Sequence, residues 1–296
     1  MKMLNKVIGL NTKIYMMGDE NGTKLALKIY KKKTANDERN RAKAEIQFLR
    51  YTKEIGCRDV PKLINYSIEE NWSLIEWLDG KKPKGYNGEI IQEMINFIKK
   101  INQQDEEKKA TLEKASEAIT DYTVLSNTIK HRLNKLNTIK PKNDIERDTE
   151  RWINEYLIEY ARKSQEKTNY AGREWLDEDI GTMVSPSDMG LHNMIEQDRI
   201  KFIDFEYAGR DDFSKLASDI ILHPDHQMKE KEKLQLLKGM LKIEGVNNSW
   251  YTRMNEIMHL SKTKWILIML KPYIEGNIDY QRLAKIKRYY KECRID

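Results

Sequence analysis

Cysteine is nearly missing from this chain. Cys57 and Cys293 are the only two in 296 residues, and they lie far apart. No disulfide framework is expected from them, and a reducing compartment fits. Long apolar runs are missing too. No stretch approaches the ~20 residues that a bilayer-spanning helix needs, so no membrane span is expected. The first residues, MKMLNKVIGLNTK, lack a signal-peptide core and a small-residue cleavage site, and the expected location is cytoplasmic. Internal repeats and low-complexity linkers are absent. A segregated charge of one sign is absent as well: 53 Lys and Arg are mixed with 47 Asp and Glu along the whole chain, for a net charge of +6. No basic stripe with interleaved aromatics appears, so nucleic acid is not an expected partner.

What is present suffices for a folded protein. Hydrophobic residues make up 39% and charged residues 34%, enough for one large domain or two modest ones. The chemistry concentrates in Met183 to Glu206, MVSPSDMGLHNMIEQDRIKFIDFE. Two apolar runs, Met194-Ile195 and Ile200-Phe202-Ile203, flank the polar turn Glu196-Gln197-Asp198-Arg199, which reads as a short hairpin. Asp188 and Asn193 precede the hairpin and Asp204 ends it. Such a set suits phosphoryl transfer: one carboxylate takes the proton of a hydroxyl, while an amide oxygen and a second carboxylate hold Mg²⁺ against nucleotide phosphates.

Ser187-Asp188-(x)4-Asn193 followed by Ile203-Asp204-Phe205-Glu206 resembles the catalytic loop and metal motif of the aminoglycoside phosphotransferase and choline kinase superfamily, which shares the protein-kinase-like fold. The usual His two residues before the catalytic Asp is Pro186 here, which leaves the Asp and Asn in place and opens the question of how the loop is braced. The resemblance implies an α+β, bilobal fold. A small strand-rich lobe would span residues 1–78 and a larger, mostly helical lobe residues 79–296. It implies ATP or GTP and Mg²⁺ as cofactors, Asp188 as catalytic base, and Asn193 and Asp204 as metal ligands.

Taken in order, Lys13–Met17 and Lys24–Tyr30 read as strands around the turn cluster Gly18-Asp19-Glu20-Asn21-Gly22. Before them, Gly9-Leu10-Asn11-Thr12 resembles the family's nucleotide-positioning loop, with Gly9 and Asn11 as candidate nucleotide contacts; a plain turn is the alternative. Lys28, among apolar neighbours, resembles the strand lysine that reaches the α- and β-phosphates; a water-facing lysine on an edge strand is the alternative. Residues 36–55 carry a helical period ending at Gly56. Glu45 there resembles the lysine's carboxylate partner, with Glu38 as competitor.

Residues 60–64 and 72–77 read as two further strands. Glu76, Trp77 and Leu78, before Asp79-Gly80, resemble the hinge whose backbone meets adenine. Residues 89–101, 106–136 and 145–167 read as helices, with Pro141 separating the last two. Trp152, Tyr156 and Tyr160 in the third read chiefly as core, against an aromatic wall for a cationic acceptor. His192 reads as loop packing. Residues 213–222 start another helix, with Asp212 as a candidate cap. Glu206, Asp211 and Asp212 are candidate acceptor contacts. Residues 225–244, 249–270 and 279–291 read as helical.

The implied function is ATP- and Mg²⁺-dependent phosphorylation of a hydroxyl on a small molecule, of aminoglycoside, sugar or amino-alcohol type. The alternatives are a protein kinase and a catalytically silent nucleotide-binding module of the same fold.

Overall fold

A computed structural model describes residues 2–8, 12–18, 22–34, 37–103, 106–121, 123–171, 180–226 and 228–293. The architecture is α+β: a strand-rich N-terminal sheet is followed by a mostly helical C-terminal part. The first part holds β1 (Lys2–Ile8), β2 (Thr12–Gly18), β3 (Lys24–Tyr30), helix α1 (Arg41–Glu54), β4 (Leu63–Ser67) and β5 (Trp72–Glu76). Next come α2 (Gly88–Asn102), α3 (Glu106–Ala110), α4 (Thr123–Leu136), α5 (Asp144–Trp152) and α6 (Ile158–Ala171). Short strands come after these, β6 (Met183–Ser185), β7 (Met194–Glu196), β8 (Ile200–Phe202) and β9 (Gly209–Asp211). The chain continues with α7 (Phe213–Leu222), α8 (Glu230–Met240), α9 (Ser249–Met269), α10 (Lys271–Ile274) and α11 (Tyr280–Glu292).

The chain groups into two compact units. The first comprises residues 1–118, 181–212 and 227–246 and the second residues 119–180, 213–226 and 247–296. In the first, five strands form an antiparallel sheet in the order β1-β2-β3-β5-β4. β3 is central, flanked by β2 and β5, so Lys28 is not on an edge strand. The residue is 3% exposed. Helix α1 starts at Asn40, whose side chain accepts from the Lys43 N–H. That satisfies one of the orphan donors of the first turn. The start lies later than the expected residue 36. Ala42 and Ile46 pack against Tyr30 of the sheet.

Two pairs of short strands carry the polar loops between them. β7 and β8 form the expected hairpin, Met194 opposite Phe202. β6 and β9 form a second antiparallel pair, Met183 opposite Asp211, which bounds the loop–hairpin segment at both ends. Phenylalanine stacks seat the hairpin. Phe202 stacks on Phe97 of α2 at 4.3 Å and Phe205 on Phe48 of α1 at 4.4 Å. The Phe202 N–H donates to the Asp59 carbonyl at 2.8 Å.

The single helix expected over 106–136 is not formed. It is two helices, α3 and α4, separated by an irregular stretch. The stretch runs beside β9 instead: Ala115 N–H donates to the Arg210 carbonyl and Arg210 N–H to the Glu113 carbonyl, both at 2.8 Å. A Cβ on Gly209 would lie 2.5 Å from the Glu113 carbonyl oxygen. Tertiary pairing with a close-passing glycine thus overrides the helical period.

The second unit is helical. Its core is built from Leu125, Ile129, Leu157, Tyr160, Leu260, Leu267 and Tyr273, with further apolar residues from α11. α5 and α6 run through a π turn at Ile153–Leu157. Trp152 and Tyr160 are buried and meet the Tyr290 ring edge-on at 5.5 and 5.3 Å, while Tyr156 is 45% exposed. Two of the three aromatics are therefore core, in keeping with their spacing. No helix is long and apolar enough to cross a membrane among the described residues. Both cysteines are buried, and neither forms a disulfide.

Candidate active site

The site's geometry starts from a lysine that has to be neutralised. Lys28 Nζ lies 2.8 and 2.6 Å from the two Glu45 oxygens and 2.8 Å from Asp204 Oδ1. Burial alone pushes a lysine toward the neutral form, but the carboxylates of Glu45 and Asp204 outweigh it and hold the ammonium above its ordinary pKa. Glu45 is 1% exposed, whereas its sequence competitor Glu38 lies exposed. The Tyr30 hydroxyl donates to Glu45 Oε2 at 2.7 Å, and it sits 2.7 Å from Ser73 Oγ. Glu45, carried by α1, is thus held by two residues of β3, with each oxygen satisfied.

Asp204 comes after β8 in the left-handed region, at φ 69°. A non-glycine residue there is uncommon, and Asp is among the types that tolerate it. Its carboxylate is 41% exposed. Asn193 reaches the same neighbourhood because the Ile203 N–H donates to its carbonyl at 2.9 Å. Its side-chain Nδ2 donates to the Asp188 carbonyl at 3.3 Å, and the amide oxygen is the end not used in that bond. A carboxylate and an amide oxygen beside a paired lysine form an oxygen donor set that fits Mg²⁺ rather than a soft metal.

The loop before the hairpin holds Asp188. Ser187 is left-handed at φ 70°, its N–H donating to Ser185 Oγ at 3.0 Å. Asp188 Oδ1 accepts from the Gly190 N–H at 3.1 Å, and Oδ2 lies 3.1 Å from His192 Nε2. The side chain remains 34% exposed. The hydrogen bond to the Asp188 carboxylate raises the His192 pKa against its partial burial. With Pro186 in place of the usual His, the loop is braced by the Ser185 hydroxyl and by His192, four residues after the Asp. The sequence alone reads His192 as packing, since no spacing rule points to it.

The hinge candidates are partly spoken for. The Glu76 N–H donates to the Lys62 carbonyl at 2.9 Å and the Trp77 N–H to the Lys24 carbonyl at 3.3 Å. Leu78 makes no backbone bond among the described residues. The next turn lies against the β7–β8 hairpin. Lys81 and Glu196 exchange backbone bonds of 3.4 and 2.7 Å, and Gln197 Nε2 donates to the Asp79 carbonyl at 2.6 Å. A Cβ on Gly80 would sit 2.4 Å from the Glu196 carbonyl oxygen, so this contact requires glycine.

Gly9 and Asn11 lie outside the described residues. Glu206, Asp211 and Asp212 are all buried, at 5%, 0% and 2% exposure. Glu206 accepts from the Thr12 hydroxyl at 2.9 Å and lies 3.7 Å from Arg41 Nε. The Asp212 N–H donates to Asp211 Oδ1 at 2.9 Å. Thr12 and Arg41 escape the sequence reading, since a threonine opening a strand and an arginine opening a helix carry no local signal.

No protein-family model and no curated protein sequence matches the chain. Solved structures do match its fold. The ethanolamine kinase of Plasmodium vivax superposes with a TM-score of 0.65 at 16% identity, over 98% of this chain and 81% of its own. Choline kinase LicA from Streptococcus pneumoniae gives 0.64 at 16% identity, over 99% of this chain and 94% of its own. Spectinomycin phosphotransferase, in complex with ADP and spectinomycin, gives 0.65 at 13% identity, over 97% and 88%. The chain therefore has the fold of the choline/ethanolamine kinases and aminoglycoside phosphotransferases.

Proposed function

We propose that this protein is a phosphotransferase that moves the terminal phosphoryl group of ATP or GTP to a hydroxyl of a small molecule. The observation that carries the reading is the convergence of Lys28, Glu45 and Asp204 in one ion-paired cluster, beside a loop bearing Asp188 and Asn193. Mg²⁺ would supply neutralisation of the charge that develops on the transferred phosphoryl group. In this reading Asn193 and Asp204 are its protein ligands.

Lys28 grips the phosphates, and Glu45 keeps it aimed. Asp188 accepts the hydroxyl proton; its two oxygens are oriented by the Gly190 N–H and by His192. The backbone of Leu78 offers the adenine edge, with Glu76 and Trp77 fixing it in place. Residues 1–78 act as the small lobe, with Gly9 and Asn11 over the phosphates, and residues 79–296 as the large one. Asp211 and Asp212 border the acceptor side. The acceptor carries amine or hydroxyl groups, as ethanolamine, choline and aminoglycosides do, and the reaction belongs in the cytoplasm. A screen for ATP consumption over ethanolamine, choline, sugars and aminoglycosides, with product mass as readout, tests this. The expected result is one phosphorylated acceptor whose formation stops with EDTA; nucleotide binding without transfer to any of them would favour a silent module.

A further inference from the structure

Glu206 is two residues past the candidate metal ligand, yet it does not face an open space. Its Oε2 takes the Thr12 hydroxyl at 2.9 Å, in a buried bond between residues 194 apart in the chain. Its Oε1 lies 3.7 Å from Arg41 Nε. Arg41 is 1% exposed, and its Nη2 donates to Asp37 Oδ2 at 2.6 Å. Arg41 also lies 5.7 Å from the Tyr207 ring. The Tyr207 carbonyl is in turn held by the Ser116 N–H at 3.0 Å.

These contacts close a circuit. From Asp204 it passes to Lys28, then to Glu45 of α1, and one turn back along α1 to Arg41. Arg41 faces Glu206, and the chain returns to Asp204 within two residues. Charges alternate along the path from Asp204 to Glu206, and Lys28, Glu45, Arg41 and Glu206 are all buried. Thr12 adds an anchor to this ring. It is the first residue of β2, directly after the expected phosphate-covering loop. Its hydroxyl is committed to Glu206, and the residue is 7% exposed.

We infer that Thr12 is a positioning residue for the nucleotide: through Glu206 it fixes the start of β2 against the segment that carries Asp204. The start of β2 and the segment that carries Asp204 then keep one separation, set by the Thr12 hydroxyl on Glu206. Asp204 in its left-handed conformation has no strand ladder of its own to hold it, so its aim depends on such side-chain ties. The inference rests on the phosphotransferase reading and deepens it, since it gives Glu206 a role toward the nucleotide side and not the acceptor side.

The test is direct titration of a fluorescent ADP analogue with Mg²⁺, alongside thermal melting without nucleotide, on wild type, Thr12→Val, Thr12→Ser and Glu206→Gln. Val keeps the shape of Thr and removes the donor, so the buried bond to Glu206 is lost. Thr12→Val is expected to weaken nucleotide binding by about tenfold, and Thr12→Ser to restore it to within about twofold. Glu206→Gln is expected to weaken nucleotide binding as well. A lower melting temperature with unchanged nucleotide affinity in Thr12→Val would make the bond a matter of stability alone and overturn the inference. So would a Glu206→Gln enzyme whose KM rises for the acceptor and not for the nucleotide. A wild type that binds no Mg-nucleotide overturns the phosphotransferase reading and the inference with it, and is recognised because every variant then gives the same flat titration.

Discussion

Lys28 is a point charge on a central strand, which water cannot reach. Only the paired carboxylates make that tolerable, because a buried ammonium without partners loses far more solvation than packing returns. Removing one partner therefore has a stability cost even before any chemistry is considered. Glu45→Gln leaves Lys28 with Asp204 alone. Its unfolding free energy is expected to fall, by less than the about 3–5 kcal/mol of a fully orphaned buried charge, and urea denaturation measures it. Asp188 and Asp204 are different cases, since both are partly open. Asp188→Asn should fold and bind nucleotide as wild type while losing turnover by about 10²- to 10⁴-fold, the usual effect of removing a general base. A mutant with wild-type kcat would show that another group takes the proton. Asp204→Ala should lose the Mg²⁺-dependent part of nucleotide-induced thermal stabilisation, whose size is RT ln(1 + [L]/Kd); an unchanged shift would place the metal elsewhere.

At the scale of elements, the turn after β5 meets the β7–β8 hairpin through backbone bonds and the Gln197 side chain, and Gly80 is the tightest point. Gly80→Ala puts a methyl group against a carbonyl oxygen that cannot rotate away. An overpacking cost of about 1–3 kcal/mol is expected, with weaker nucleotide binding because Leu78 is two residues away. Gly85→Ala is the control, since a Cβ there meets nothing within 4 Å; equal losses from both would remove the case for a steric limit at Gly80. The hairpin is legible in sequence because two apolar runs around a polar turn leave one reading, and Lys28 because a lone charge in a β3 pattern of apolar residues needs a partner. α7 and α9 are legible through their long apolar periods. Other elements give no local signal. β6 and β9 are three residues each and pair with one another across residues 186–208, with β9 held further by the stretch after α3. The break after α3 comes from hydrogen bonds to Arg210 and Tyr207, far away in sequence. The brace on Asp188 is hidden for a similar reason: His192 matters by where a 3₁₀ turn at Leu191–Asn193 points it.

At the scale of the whole molecule, the short segment after Asp204 limits the acceptor. A protein kinase needs a long activation segment after its metal-binding Asp, closed by Ala-Pro-Glu, as a platform for an extended peptide. Here Asp204 and the start of α7 at Phe213 are separated by residues 205–212 only, and no Ala-Pro-Glu occurs in them. Those few residues are already committed. Phe205 stacks on Phe48, Glu206 is held by Thr12, the Tyr207 carbonyl is held by Ser116, and Gly209–Asp211 form β9. Nothing remains to build a peptide shelf, so the expected acceptor is a small polar molecule and not a protein side chain. Incubation with labelled ATP and either a cell lysate depleted of small molecules or the small-molecule fraction alone separates the two. Label is expected in the second and absent from the proteins of the first, and the Asp188→Asn enzyme should give neither. Label spread over many proteins, with none in the small-molecule fraction, would mean that a peptide can be held without an activation segment, and the protein-kinase reading would take over.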